Sequence, residues 1–146
     1  MCKAYDVACY MVNSEPLDNL KVQKLLYYCQ AVHLVLNKSS TKPLFTDEIQ
    51  AWQYGPVVPN VYHKFKKYGL DSIPVQKTKN NLTEDELKTV SMVLDYYGKM
   101  SGTRLINKTH QESPWKNAYI PNKKNIVITN EAIFDYFKDK YEFGKR

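Results

Sequence analysis

Three histidines (His33, His63, His110) and three cysteines (Cys2, Cys9, Cys29) are the side chains in this 146-residue chain best suited to hold a metal or attack a substrate. A structural or catalytic metal needs three or four converging ligands, and a zinc-protease helix needs His-x-x-x-His to place two on one face. Neither that pair nor Cys-x-x-Cys occurs, so no metal and no cofactor is expected. The densest titratable group is Thr109-His110-Gln111-Glu112. There His110 and Glu112 could form an acid–base pair, the basis of a hydrolase reading. The simpler reading is that both satisfy backbone groups around the join before Ser113-Pro114-Trp115. His33 lies in an apolar helical run and reads as a hydrogen-bonded core histidine. His63 falls on a lysine-bearing side and reads as solvated. Cys29 sits where burial would raise its pKa, so it reads as an inert thiol. No Gly-x-Ser-x-Gly elbow, P-loop or dinucleotide fingerprint is present, and catalysis is not expected.

The aromatic residues carry more information. Twelve Tyr, five Phe and two Trp are present, and several crowd around Trp52, Tyr54, Tyr62 and Tyr68. Most fill the core of a small domain. Beside lysines they can also stack on unpaired bases or anchor a protein partner. Tyr54 and Trp115, next to turns, are expected to be partly exposed. The net charge is +6, with 8 basic against 6 acidic residues in 1–73 and 13 against 9 in 74–146. This excess is spread along the chain, and only Arg104 and Arg146 are arginine, the usual bidentate reader of guanine. A solvated lysine surface fits better than a nucleic-acid arm.

These residues need elements to hold them. The pattern predicts an amphipathic helix over 3–13, broken by Asn13-Ser14-Glu15-Pro16. A second helix, capped by Asp18 or Asn19, runs to about Asn37 and is apolar almost all round from Leu25 onward, which marks it as the central helix. Ile49, Ala51 and Trp52 read as a short strand ending in Tyr54-Gly55-Pro56, and Pro59 opens a helix carrying Val58, Val61, Tyr62, Phe65 and Tyr68 on one face until Gly69. Ile73 to Val75 reads as a second strand and 77–81 as a polar linker. Thr83-Glu84-Asp85-Glu86 is a capping box for a helix that turns Leu87, Val90, Leu94 and Tyr97 inward and ends at Gly98. Ser101 caps the next helix, Ser113 with Pro114 starts another, and 122–125 is a turn. Thr129 or Asn130 caps a last helix bearing Ile133, Phe134 and Phe137. The expected fold is mainly α, in the α+β sense: one helical domain over 1–146 around a central apolar helix, with a minor pair of strands and a charged tail at 138–146. The longest nearly apolar stretch, Leu25 to Leu36, falls short of the roughly 20 residues a membrane span needs. With an odd cysteine count and no signal peptide, a cytoplasmic protein is expected.

Three segments, Asn19 to Gln30, Ala51 to Tyr62 and Thr109 to Trp115, resemble in this order the Panacea-domain proteins, also described as SocA-like or phage-associated GepA-like. The one difference within them is Cys29, where a small residue such as alanine is more usual. The resemblance implies a bacterial or prophage antitoxin that binds a toxin protein and performs no catalysis. It also implies alternatives, an adaptor that delivers the toxin to a protease or a DNA-binding autoregulator, the latter disfavoured because no helix-turn-helix with an Arg- or Asn-bearing recognition helix is visible. A His110–Glu112 hydrolase ranks last. The partner-binding residues expected on this basis are Trp52, Tyr54, Gly55, Pro56, Tyr62, His110, Glu112 and Trp115, with lysines forming a basic rim. No membrane partner is expected, and the oligomeric state stays open.

Overall fold

The Asp18 carboxylate accepts from Lys21 N at 2.9 Å and starts the helix around which the other elements gather. In the computed structural model, which describes residues 2–78 and 81–140, this helix is α2 (Asn19–Leu36), preceded by α1 (Ala4–Ser14). Then come β1 (Ile49–Trp52), β2 (Gly55–Val57), α3 (Pro59–Phe65) with a 3-10 turn at Lys66–Tyr68, and α4 (Glu84–Tyr97). The chain continues through α5 (Gly102–His110), α6 (Ser113–Lys116), β3 (Val127–Ile128) and α7 (Asn130–Phe137). The fold is mainly α, as the hydrophobic periodicity predicts, and its small sheet has three strands where a pair was expected.

Burial covers 13 of the 18 residues of α2, which touches α1, α3, α4, α5, α7 and β2. Its apolar side chains meet Val7, Met11, Val61, Val90, Val93, Leu105, Ile133 and Phe137 in one core cluster. Four of the buried residues are polar: Asn19, Gln23, Lys24 and Gln30. Gln23 and Gln30 reach irregular backbone, while Asn19 and Lys24 reach carbonyls in α3 and β2. Asn19 donates to Tyr62 O at 3.2 Å. Gln23 accepts from Val58 N at 2.9 Å and donates to Asn19 Oδ1 at 2.8 Å. Gln30 accepts from Leu44 N at 2.7 Å and donates to Phe45 O at 2.9 Å. Buried backbone groups must be paired, and these side chains pair them.

The sheet order is β2-β1-β3, both pairings antiparallel, with Trp52 opposite Gly55 and Ile49 opposite Ile128. Three expectations need correction here. The partner of β1 is not 73–75, because Pro74 has no N–H to give a ladder. Ile73 instead makes an isolated bond to Leu17 O (2.8 Å), and Val75 stays exposed. The strand partner is the Gly55-Pro56-Val57 segment, with Pro56 at a sheet edge. In α4, Leu87 is only half-buried, and Val93 takes the inward position beside Val90, Leu94 and Tyr97. α6 starts one residue earlier than expected, with Glu112 in place of Ser113 as its cap and Pro114 in its first turn. The polar linker over 77–81 and the tail over 138–146 are described only in part: residues 79, 80 and 141–146 lie outside the described residues.

The capping box of α4 also holds the start of the chain. Glu86 N donates to Thr83 Oγ1 (3.2 Å), Thr83 N to Glu86 Oε1 (2.8 Å), and Cys2 N to Glu86 Oε2 (3.2 Å). Among the described residues no helix is long and apolar enough to cross a membrane. Thr83→Ala removes one cap and is expected to cost about 1 kcal/mol. Urea unfolding should show this as a lower midpoint at unchanged slope.

Candidate partner-binding site

The hairpin between β1 and β2 turns on Gln53 and Tyr54, and Gly55 re-enters the ladder at φ +110. That conformation is open to glycine and strained for other residues. Space demands glycine as well: a Cβ on Gly55 would lie 2.7 Å from Lys24 Cε and 2.9 Å from Thr109 Oγ1. The turn therefore rests directly on α2 and α5, and Tyr54 projects from its tip, 59% exposed.

Beneath Gly55, the Lys24 ammonium donates to Pro56 O at 3.1 Å. Lys24 is fully buried with no carboxylate among the described residues to balance it, and burial pulls its pKa down to about 7. One turn further along α2, Tyr27 and Tyr28 converge on Glu112. Tyr27 donates to Oε1 at 3.1 Å, and the Tyr28 hydroxyl is shared between Oε1 (3.1 Å) and Oε2 (3.0 Å). Lys108 Nζ approaches Oε2 to 3.8 Å. Burial first, then the Glu112 charge, raises the pKa of both tyrosines. Tyr28 also stacks on Tyr97, centroids 4.0 Å apart.

The third family-like segment closes on the hairpin from the other side. His110 stacks on Trp115 at 4.0 Å, and Trp115 on Tyr119 at 4.8 Å, three rings in a row. Trp115 Nε1 donates to Trp52 O at 2.7 Å, while His110 Nε2 lies 3.1 Å from Gln53 O. Burial and the nearby Lys24 charge lower the His110 pKa against the opposing pull of the Gln53 carbonyl. The Trp52 indole donates to Gln50 Oε1 at 3.1 Å and packs edge-on against Tyr62, centroids 4.9 Å apart. Trp52, Gln53 and His63 on one side and Tyr119, Lys123 and Lys124 on the other line an open cleft of about 630 Å³.

Residues 22–116, which contain almost all of this arrangement, match the family described as "Antitoxin SocA-like, Panacea domain". The chain belongs to that family. It is also similar to the protein named "Antitoxin SocA" from Caulobacter vibrioides (strain NA1000 / CB15N), 27% identical over 143 residues, covering 89% of this chain and 74% of the relative. No solved structure matches it.

The Panacea segments thus meet in one place, but they are not equally accessible. Of the eight residues expected to bind a partner, Tyr54 is exposed, and Trp52, Tyr62 and His110 are half-buried. Gly55, Pro56, Glu112 and Trp115 are buried. The partial exposure expected of Trp115 is corrected: it is 9% exposed, held between the His110 and Tyr119 rings. His110 and Glu112 take different partners, one facing the hairpin carbonyl and the other the two tyrosines. His33 Nδ1 lies 2.8 Å from Thr89 Oγ1, the hydrogen-bonded core histidine expected, and Cys2, Cys9 and Cys29 are buried free thiols. Among the described residues no group of three or more His, Cys, Asp or Glu converges as metal ligands would. Sequence reasoning missed Lys24, Tyr27 and Tyr28 as members of the site. The signal was available: a lysine and a tyrosine pair next to the apolar run that starts at Leu25 in the central helix.

Glu112→Ala strands two buried hydroxyls and is expected to cost about 2–4 kcal/mol, with Glu112→Gln recovering part, by urea unfolding. Lys24 gives a pH signature. Its folded pKa lies below the unfolded value near 10.5, so between about pH 7 and 10 the unfolded chain binds more protons and stability rises with pH. The slope due to this one group is at most about 1.4 kcal/mol per pH unit. Below pH 7 both states are protonated and the full penalty of the buried charge applies. Lys24→Met should remove this rise, read as a flatter stability curve for the variant, whose advantage over wild type shrinks steadily from pH 7 to 9.

Proposed function

We propose that this Panacea-domain chain is an antitoxin that neutralises a toxin protein by direct contact through the hairpin face, acting in the cytoplasm. The observation that carries the reading is Tyr54. A large aromatic side chain stands 59% exposed on a two-residue turn whose neighbours are fixed by Lys24, Thr109 and the His110–Trp115 stack. Rigid exposed aromatics are typical binding hot spots, because little entropy is lost when they dock. Trp52, Tyr62 and His110 extend this face, whereas Gly55, Pro56, Glu112 and Trp115 set its shape from below. Family membership and the similarity to the protein named Antitoxin SocA support the same role, and a binding module needs no catalytic centre.

Co-expression with the neighbouring reading frame tests the reading. The chain should rescue growth from that product and co-purify with it; failure of both overturns the proposal. A steady toxin level during rescue supports masking, and a protease-dependent fall supports delivery to a protease. Tyr54→Ala should weaken the complex about tenfold or more, by titration calorimetry, at unchanged thermal stability. Unchanged affinity would remove Tyr54 from the surface.

A further inference from the structure

The cleft beside the hairpin combines one-sided charge with aromatic walls that are already fixed. Its aromatic walls, Trp52 and Tyr119, are already held in place. Trp52 is fixed by the Gln50 hydrogen bond and the Tyr62 edge contact, and Tyr119 by stacking on Trp115. Its rim is cationic. Lys123 and Lys124 sit on a turn that opens with a Lys123 N to Ile120 O bond of 3.1 Å. Asn122 (φ 66) and Asn125 (φ 63) hold that turn in left-handed backbone, and Ile126 O then accepts from Ala51 N at 2.9 Å. His63 stands on the opposite lip. No Asp or Glu lines the cleft, and neither lysine forms an ion pair with a described residue. The other large cleft, about 540 Å³ between α6 and α7, contains Asp135 beside Lys140 and so has no such one-sided charge.

We propose that this cleft is the socket for an acidic segment of a protein partner, which places one aromatic or aliphatic side chain between Trp52 and Tyr119 and its flanking carboxylates on Lys123 and Lys124. The inference rests on the reading of the chain as a protein-binding module and names the chemistry that module selects. An apolar anchor with a complementary charged rim is the usual anatomy of a specific interface. A cleft open at about 630 Å³ suits an inserted side chain. It offers no arginine and no extended basic track along which a nucleic-acid backbone could run. Half of the socket lies outside residues 22–116, so Tyr119, Lys123 and Lys124 add a partner-selecting element to the part of the chain that the family match covers.

The test has two arms. In the first, a pentapeptide with one phenylalanine between pairs of glutamates is titrated into the full chain and followed by amide and indole NMR shifts. Saturable shifts at Trp52, Tyr119, Lys123 and Lys124 are expected, about tenfold weaker binding in the exposed double variant Lys123→Glu/Lys124→Glu, and no such shifts with lysines in place of the glutamates. Equal binding of both peptides, equal binding by the double variant, or tighter binding of an oligothymidylate overturns the proposal. In the second arm, the double variant is tested against the co-purified toxin. At least about a tenfold loss, with a shallower salt dependence, supports the socket. Full affinity of the variant, with the wild type still rescuing growth, overturns the socket and leaves the antitoxin reading standing. If the wild type itself fails to bind toxin, that reading falls, and the peptide arm alone decides the socket.

Discussion

A helix buried on nearly every side leaves its neighbours with a problem of hydrogen bonding. The segments wrapped around α2 include the 44–45 turn, the β2–α3 join and the Pro56 edge strand, none of which can pair all its backbone groups internally. Water does not reach them, and an unpaired buried amide or carbonyl costs as much as several good apolar contacts contribute. The chain meets this from within α2. Asn19, Gln23, Lys24 and Gln30 spend buried positions on Tyr62 O, Val58 N, Pro56 O and the 44–45 backbone. The same helix supplies the apolar core and the polar fastenings, so register along α2 sets the position of the hairpin.

Lys24 is the extreme case. A buried ammonium with one carbonyl partner and no counter-charge among the described residues is an unfavourable group, and a hydrophobic residue of similar size would fold at lower cost. What its long stem supplies is shape: Cε fills the space under Gly55, and the hairpin backbone closes over it without room for a Cβ. Gly55 and Lys24 are therefore complementary halves of one contact, the first lacking a side chain where the second needs space. Across the turn, His110 and Trp115 fix the Gln53 and Trp52 carbonyls. A two-residue turn held from both sides has little freedom left, which is why Tyr54 can be exposed and still be positioned.

Much of this was legible in the residues. The central helix, the caps at Asp18, Thr83, Ser101 and Thr129, the first strand and the stop at Gly69 all follow from local rules, because each is decided by side chains within a few positions of the backbone they serve. The pairing of β1 was not legible. Gly55-Pro56 reads as a turn by composition, and only the hairpin geometry shows that proline can stand at an edge where no N–H is required. The site was half legible. Three segments pointed to a common place, but spacing could not say which of their residues face inward. Glu112 read as a backbone partner at the join before Ser113 or as an acid beside His110, and the tyrosine hydroxyls that claim it lie 84 and 85 residues earlier. Tyr119 and the 122–125 turn carried no signal of a site at all, since a stacked aromatic and two lysines acquire meaning only when Trp52 is placed opposite them.

This division between interior and surface explains why family membership does not name a partner. Of the residues in the family-like segments that make specific contacts, Gln23, Lys24, Tyr27, Tyr28, Gly55, Pro56, Glu112 and Trp115 are all buried, so what they specify is the position of the hairpin. A partner would meet instead the Tyr54 tip, the half-exposed Trp52 and the lysine turn beyond residue 116. Charge and shape on such a rim can change without disturbing the fastenings beneath, because exposed substitutions away from caps and cores alter stability little. A scaffold that isolates its binding rim from its core can keep its fold while its partner differs. For this chain the rim carries Lys123 and Lys124 beside the Trp52 and Tyr119 rings, and none of these four takes part in the buried fastenings of α2.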